Sequence, residues 1–231
     1  MFNYLLDLAV VGLVFRLSCR MGTQNSGLFA AFLYLMLLLV PRQIFHKGVT
    51  DLAAVVPLLA ALLWLESRPA LAGLCVGLSV STKLLPGALF VPCCLPPRNK
   101  PEFRWWYAAG VAMGLVPTLV FLVWSPVELF SNIVLFNSQR PLDSTSWLYG
   151  MPSVIGLIVQ AVFAVVWLGI ATYVWFNRPT VAIRCGLGVI CVLGAILSGP
   201  IDHRNYQLWW LPMFAILLGV VAFRRHEQNG K

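Results

Sequence analysis

Long apolar blocks separated by short polar joints dominate this chain, and that pattern restricts its fold more than any other feature. The blocks run over residues 4–17, 27–40, 51–65, 69–95, 105–125, 152–176, 181–200 and 206–223. A helix needs roughly 20 apolar residues to cross the hydrocarbon core of a bilayer, so a chain of this length accommodates roughly seven or eight crossings with short loops. Charged residues make up 10% of the chain and hydrophobic ones 60%, whereas soluble domains carry about 25% charged residues. Too few polar side chains exist to cover a water-facing surface. That excludes a soluble enzyme, a disordered chain and a disulfide-rich secreted module. The blocks are apolar on both parities, unlike the alternating strands of a membrane barrel. The predicted fold is all-α: a polytopic transmembrane helical bundle, with residues 1–231 forming a single transmembrane domain.

The formal charge of +8 comes from 16 basic and 8 acidic residues. The basic residues sit in short joints between apolar blocks and never form one long patch. This is the positive-inside bias of membrane proteins rather than a nucleic-acid footprint, and no nucleic-acid partner is expected. Loops 96–104 and 177–184 and the C-terminal tail are all basic and fall on one side by alternation, which is read as the cytoplasm. The cysteines at 19, 75, 93, 94, 185 and 191 form no CxxC pair and mostly lie inside apolar segments. They read as small core-type residues. Gly73-xxx-Gly77 and Gly110-xxx-Gly114 read as close helix-packing surfaces.

Block 69–95 is long and is interrupted by Lys83, Pro86 and Pro92. Proline removes an amide donor and kinks a helix. At membrane depth, broken backbone survives only where protein or a water-filled cavity satisfies it. The block is therefore either one kinked span or a re-entrant helix pair, and the re-entrant form is preferred. That form puts Arg42, His46, Lys47 and Asp51 on the outer face, together with Arg140, Asp143, Asp202, His203 and Arg204. It leaves residues 66–68 and 96–104 both on the cytoplasmic side.

Three constellations carry candidate chemistry. Lys83 lies deep in apolar sequence, where an unpaired cation costs several kcal/mol. A compact ammonium suits a phosphate ligand; snorkelling to an interface or a structural pairing with Asp51 are the alternatives. The second is Arg140-Pro-Leu-Asp-Ser-Thr-Ser-Trp147, in the longest outward loop. Arginine grips phosphate in a forked geometry, and Trp147 offers an apolar face for a sugar or an anchor at the membrane interface. The third runs from Ser198 to Pro212, with Asp202, His203 and Arg204 in a tight loop before Tyr206, Gln207, Trp209 and Trp210. Its alternative is a surface turn with an aromatic belt.

Taken in order, these segments resemble the membrane glycosyltransferases of the GT-C fold class, and within it the bacterial polyprenyl-phosphate-mannose-dependent mannosyltransferase family. The resemblance covers roughly residues 27–212. It rests on Gly48-Val-Thr-Asp51, Glu66-Ser-Arg68, Ala72-Gly73, Gly77-Leu and Lys83-Leu-Leu-Pro86. Arg140-Pro-Leu followed by Ser146 adds to it, as does Ser198-Gly-Pro leading to Tyr206-Gln-Leu-Trp and Leu211-Pro212. It implies a GT-C-like bundle in the bacterial inner membrane. It also implies transfer of a sugar, mannose in that family, from a polyprenyl-phosphate carrier to an extracytoplasmic lipid or glycan acceptor. No cofactor and no metal are expected.

Such a reaction needs an acidic group for the acceptor hydroxyl and cations for the departing phosphate. Members of that family begin with another membrane helix and an outward loop holding the catalytic acid, and the chain is expected to lack that segment. Among the acidic residues that remain, Asp51 is the first candidate and Asp202 the second. Lys83, Arg140, Arg204 and His203 are the expected phosphate ligands, and Trp147, Tyr206 and Gln207 the expected substrate contacts. The competing class is a noncatalytic lipid-binding membrane subunit or a transporter fragment.

Overall fold

The computed structural model describes residues 2–38, 51–96, 101–132, 146, 148–199 and 207–229. All regular elements among them are helical. In chain order they are α1 (Phe2–Met21), α2 (Gln24–Leu38), α3 (Asp51–Trp64), α4 (Pro69–Thr82), α5 (Leu84–Phe90), α6 (Pro101–Gly114), α7 (Val116–Trp124), α8 (Pro126–Phe130), α9 (Ser153–Asn177), α10 (Val181–Ser198) and α11 (Gln207–Asn229), with a 3-10 turn at Val91–Cys94 after α5.

The break inside 69–95 falls at Lys83, whose backbone is extended at φ −154° and ψ 109°. Pro86 is the local cause. Its ring would clash with the carbonyl of Thr82, four residues earlier, in a continuous helix. Placed in the first turn of α5, the same proline gives up an amide that would have no intrahelical partner anyway. The chain then turns back. A Cβ added to Gly87 would come within 2.6 Å of the Cα of Val80, although the two positions would be about 10 Å apart along one straight helix.

Packing of α4 on α6 establishes the direction of the return. Gly73 meets the backbone of Tyr107, and Gly77 meets that of Val111 and Gly114. From the other side, Gly110 meets Ala70 and Gly114 meets Leu74. Both sets of contacts advance together, so α4 and α6 run parallel. Two parallel helices that follow one another require the segment between them, α5 and the 3-10 turn, to travel back. Residues 66–68 and the start of α6 therefore lie at the same end of the bundle. The paired glycine motifs let the two backbones touch, as their spacing predicts.

Polar contacts mark that end. Arg20, in the last turn of α1, bonds the Glu66 carboxylate at 2.9 Å and also the Leu63 carbonyl. Arg184, in the first turn of α10, donates to the carbonyls of Cys93 at 2.8 Å, Leu95 at 2.9 Å and Pro179 at 3.0 Å. Arg184 closes the basic loop 177–184 in sequence, yet its side chain turns into the bundle. Its guanidinium is buried and ties down the returning strand of the broken block, satisfying carbonyls that the end of the 3-10 turn leaves open. We call this the basic end; the opposite one is the Asp51 end.

Helix α3 is the centre of the bundle. Leu52, Val55, Leu58, Leu59 and Leu62 are fully buried, in one cluster with Val10, Val14 and Leu17 of α1, Tyr34 of α2, Phe90 of α5, and Leu208, Trp209, Met213 and Ile216 of α11. Cys75, Cys93, Cys94, Cys185 and Cys191 are buried, as their apolar surroundings predict. By length and apolarity alone, the described residues contain two membrane-crossing helices, Ser153–Asn177 and Val181–Ser198. A third exists if α6 and α7, bent by 49° at a break, act as one span. This is fewer than the seven or eight crossings expected from the apolar blocks. The reason is geometric: α3 and α4 have 14 residues each, about 21 Å of helix against a core of about 30 Å. Short central helices are wrapped by others, whereas α9 turns most of its surface outward, with Val154, Leu157, Ile158, Val165 and Leu168 exposed.

Two predictions follow from this packing. Single cysteines replacing Ser67 and Glu102, in a background cleared of native cysteines, will label from the same side of a sealed vesicle; opposite-side labelling would reject the reversal at Lys83. Gly110→Val, which forces side-chain atoms into the Ala70 backbone, will lower stability in detergent by about 1–3 kcal/mol. Gly12→Ala, where a Cβ meets nothing within 4 Å, will leave the melting temperature nearly unchanged.

Candidate functional site

The break that creates Lys83's extended conformation also delivers its side chain to Asp51. Lys83 sits at the C-terminus of α4, where carbonyl ends favour a cation, and Asp51 sits in the first turn of α3, where amide ends favour an anion. Lys83 Nζ and Asp51 Oδ1 are 2.6 Å apart. The same oxygen accepts from Trp209 Nε1 of α11, also at 2.6 Å. Lys83 Nζ lies 5.4 Å from the centre of the Trp209 ring, so the indole serves both charges: its N–H binds the carboxylate and its face meets the ammonium.

The asymmetry of burial matters chemically. Asp51 is 2% exposed, while the Lys83 side chain is 35% exposed. The carboxylate is sealed inside the bundle, and the ammonium reaches its surface with donor capacity beyond one bond to Asp51. Around it, Ser79 donates to the Ala54 carbonyl at 2.8 Å, tying α4 to α3. Ser81 donates to the Gly114 carbonyl and receives a bond from Thr118, both at 2.9 Å, tying α4 to α6 and α7. Thr82 bonds the Leu78 carbonyl of its own helix. The hydroxyls beside Lys83 thus brace helices, and the lysine itself carries the available polarity.

Of the other two constellations, the described residues are Ser146, Ser198, Gly199 and those from Gln207 onward. Ser146 donates to the Gly199 carbonyl at 3.0 Å and accepts from the Leu148 amide at 3.3 Å. That joins Ser146 to Gly199, the one described residue of the first segment to a described residue of the second. Gln160 Nε2 donates to the Ser198 carbonyl at 3.4 Å. Among the expected site residues, Asp51 and Lys83 are brought into direct contact. Gln207 opens α11, two positions before Trp209. Arg42, His46, Lys47, Arg140, Asp143, Trp147, Asp202, His203, Arg204 and Tyr206 lie outside the described residues.

Trp209 is the member of this cluster that the sequence did not single out. Its place in an aromatic run suggested only an interfacial belt. Its partner is 158 positions away, and no local spacing signals such a contact. Among the described residues no group of three or more His, Cys, Asp or Glu side chains is arranged to hold a metal ion.

Among the described residues, helices with apolar outer faces and a lysine–carboxylate–indole cluster at one end fit a helical membrane protein. The model of glycosyltransferase family 87 matches residues 1–223, and the chain belongs to that family. Its class of activity is therefore glycosyl transfer in a membrane, from a sugar donor to a lipid or glycan acceptor. Neither curated proteins nor solved structures yield a match.

The geometry predicts that Lys83→Met will destabilise the protein by about 2 kcal/mol, because it strands a buried carboxylate while removing a partly solvated partner. Adding Asp51→Asn will recover most of that loss in thermal unfolding. Trp209→Phe keeps an aromatic side chain but removes the N–H and part of the buried indole's volume, and will lose at least about 1.5–3 kcal/mol, the range for a hydrogen bond to a charged group.

Proposed function

We propose that this chain transfers a sugar, mannose being the first to test, from a polyprenyl-phosphate carrier to a lipid or glycan hydroxyl on the outer face of a bacterial inner membrane, using a GT-C-like helical frame. The observation that carries the reading is the position of Lys83: a partly exposed cation at a helix break, held in place from below by a buried carboxylate and an indole. An anionic carrier phosphate at the lipid edge requires a fixed cation of this kind.

In the reaction, the bond between the sugar's anomeric carbon and the carrier phosphate oxygen breaks, and the electron pair stays with the phosphate. The acceptor oxygen bonds to the anomeric carbon, and its proton passes to a carboxylate base. Lys83, with Arg140, Arg204 and His203, neutralises the charge that grows on the phosphate. Asp51 already accepts from two donors inside the bundle, which suits orienting Lys83 better than receiving a proton. The base role is accordingly proposed for Asp202. Trp147, Tyr206 and Gln207 are proposed to contact the sugar or acceptor, and no cofactor takes part.

The test uses the purified chain in lipid, with radiolabelled polyprenyl-phosphate sugars and a panel of acceptors. Transfer is expected from the mannosyl carrier. Lys83→Met paired with Asp51→Asn, the variant expected to fold, will reduce transfer by at least about tenfold, or roughly 1.4 kcal/mol of transition-state stabilisation. Wild-type turnover in that double variant would end the phosphate role of Lys83. Transfer from a soluble nucleotide sugar, with none from any polyprenyl carrier, would overturn the donor class.

A further inference from the structure

A second carboxylate stands level with Asp51. Arg20 joins the C-terminal end of α1 to that of α3 through Leu63 and Glu66. The two helices lie side by side, with Val10, Val14 and Leu17 in one cluster with Leu52, Leu58 and Leu62. Asp7 lies thirteen positions before Arg20, and Asp51 twelve positions before Leu63. At 1.5 Å per residue, both carboxylates are about 18–20 Å from the basic end. Asp7 heads the buried stripe that Val10, Val14 and Leu17 continue, so it lies on the bundle side of α1. It belongs to the same end of the molecule as Lys83.

The fold uses only half of this carboxylate. Asp7 Oδ1 accepts the hydroxyl of Tyr34, on α2, at 2.9 Å. Tyr34 is 0% exposed, whereas Asp7 is partly exposed. One neutral oxygen would satisfy a phenol; a carboxylate brings a charge and a second oxygen as well. The ion pairs among the described residues are Arg20–Glu66 and Lys83–Asp51, so no described cation balances Asp7. Oδ2 has no hydrogen-bond partner among the described residues. The buried side-chain atoms in that condition are on Ser18, Arg104 and Tyr107, so Oδ2 reaches the surface of the bundle. Ionisable side chains in membrane helices are costly, and they mark the paths of polar ligands.

We infer that Asp7 Oδ2 accepts a hydrogen bond from a hydroxyl of a glycosyl group, with the Tyr34 hydroxyl fixing the direction of the carboxylate. An open carboxylate oxygen requires a donor, and glycosyl transfer brings hydroxyl-bearing groups to this molecule. Tyr4, one turn before Asp7 on the same side of α1, is 59% exposed. Its ring offers an apolar face to the C–H side of a sugar, while Asp7 takes a hydroxyl on the sugar's edge. Asp7 is a binding residue here; the base role stays with Asp202. The inference rests on glycosyl transfer, which family membership supplies, and not on the carrier or the sugar proposed above.

The experiment is saturation-transfer NMR of the whole chain in lipid nanodiscs, titrated with octyl α-mannopyranoside below its micellar concentration, with 1-octanol as the control for the tail. The wild type is expected to transfer saturation to the sugar-ring protons. Asp7→Leu alone strands the Tyr34 hydroxyl, so it is paired with Tyr34→Phe, which removes both partners and preserves folding. That double variant will raise Kd by at least about tenfold, or roughly 1.4 kcal/mol. Asp7→Asn, which keeps an acceptor oxygen, will raise it less. Glu102→Gln, at the basic end, will leave it unchanged. No transfer to the ring protons of the wild type, wild-type affinity in the double variant, or an equal loss in Glu102→Gln would overturn the site. If the double variant fails to fold, Asp7→Asn is read in its place, and an unchanged Kd there would overturn the site equally. In the transfer assay the same variants will raise KM more than they lower kcat. A rise in the acceptor's KM places the hydroxyl on the acceptor, and a rise in the donor's places it on the sugar being moved. A fall in kcat with KM unchanged would overturn the binding role. Failure of every polyprenyl carrier in that assay would count against the carrier alone, because the NMR titration uses no carrier.

Discussion

Backbone contact between α4 and α6 is the constraint on which the arrangement of this bundle depends. Glycines at 73, 77, 110 and 114 place no side chain at the points of closest approach, so the two backbones touch there. Such an approach gains dispersion contacts over its whole length and does not rely on a hydrophobic driving force, which is weak between helices surrounded by lipid. Because the helices run parallel, the chain must reverse twice between them. The reversal after Thr82 leaves Lys83 outside regular structure, and the return strand must then be held at its far end. Arg184 holds it through the Cys93 and Leu95 carbonyls. The polar site and its anchor are therefore two consequences of one packing choice.

The cluster at the other end shows how a charge is accommodated in so apolar a chain. Asp51 combines a helix N-terminus, an ammonium and an indole N–H on one buried carboxylate. Each contact offsets part of the desolvation that burial imposes. Lys83 remains only partly buried, so the pair is polarised toward the surface of the bundle. A carboxylate held this way positions its partner, while the partner keeps donor capacity for a ligand. Family membership supplies the class of reaction; the pair supplies a reason why a cation at this position would be rigid enough to act on a developing charge.

Helix length gives the fold a second organising rule. The short helices α3 and α4 lie inside the bundle, where neighbouring helices rather than lipid cover them. The long α9 shows its apolar side chains to the outside. The bend between α6 and α7 follows from Pro117, in the first turn of α7, which cannot continue the hydrogen-bond ladder of α6. Length, proline position and exposure thus sort the helices into a protein-covered centre and an outward-facing rim.

Much of this was legible in the sequence. The apolar blocks announce helices, Pro86 announces a break next to Lys83, and the two glycine motifs announce close packing, because each is a local property of backbone and side chain. Among the described residues fewer helices are long and apolar enough to cross alone than there are apolar blocks, since apolar character cannot tell a helix covered by protein from one covered by lipid. Lys83 offered both a phosphate role and a pairing with Asp51, and local sequence had no means to choose between them. Tertiary structure made the pairing, added Trp209 across 158 positions, and turned Arg184 inward as a clamp on carbonyls 89 and 91 positions away. These contacts depend on which helices run parallel and how deep each one sits. The sequence by itself determined an apolar helical chain whose block 69–95 is interrupted around Lys83, Pro86 and Pro92; the fold placed the break at Lys83 and decided which charges meet, because a buried charge takes its partner from whatever the fold brings within a few ångströms.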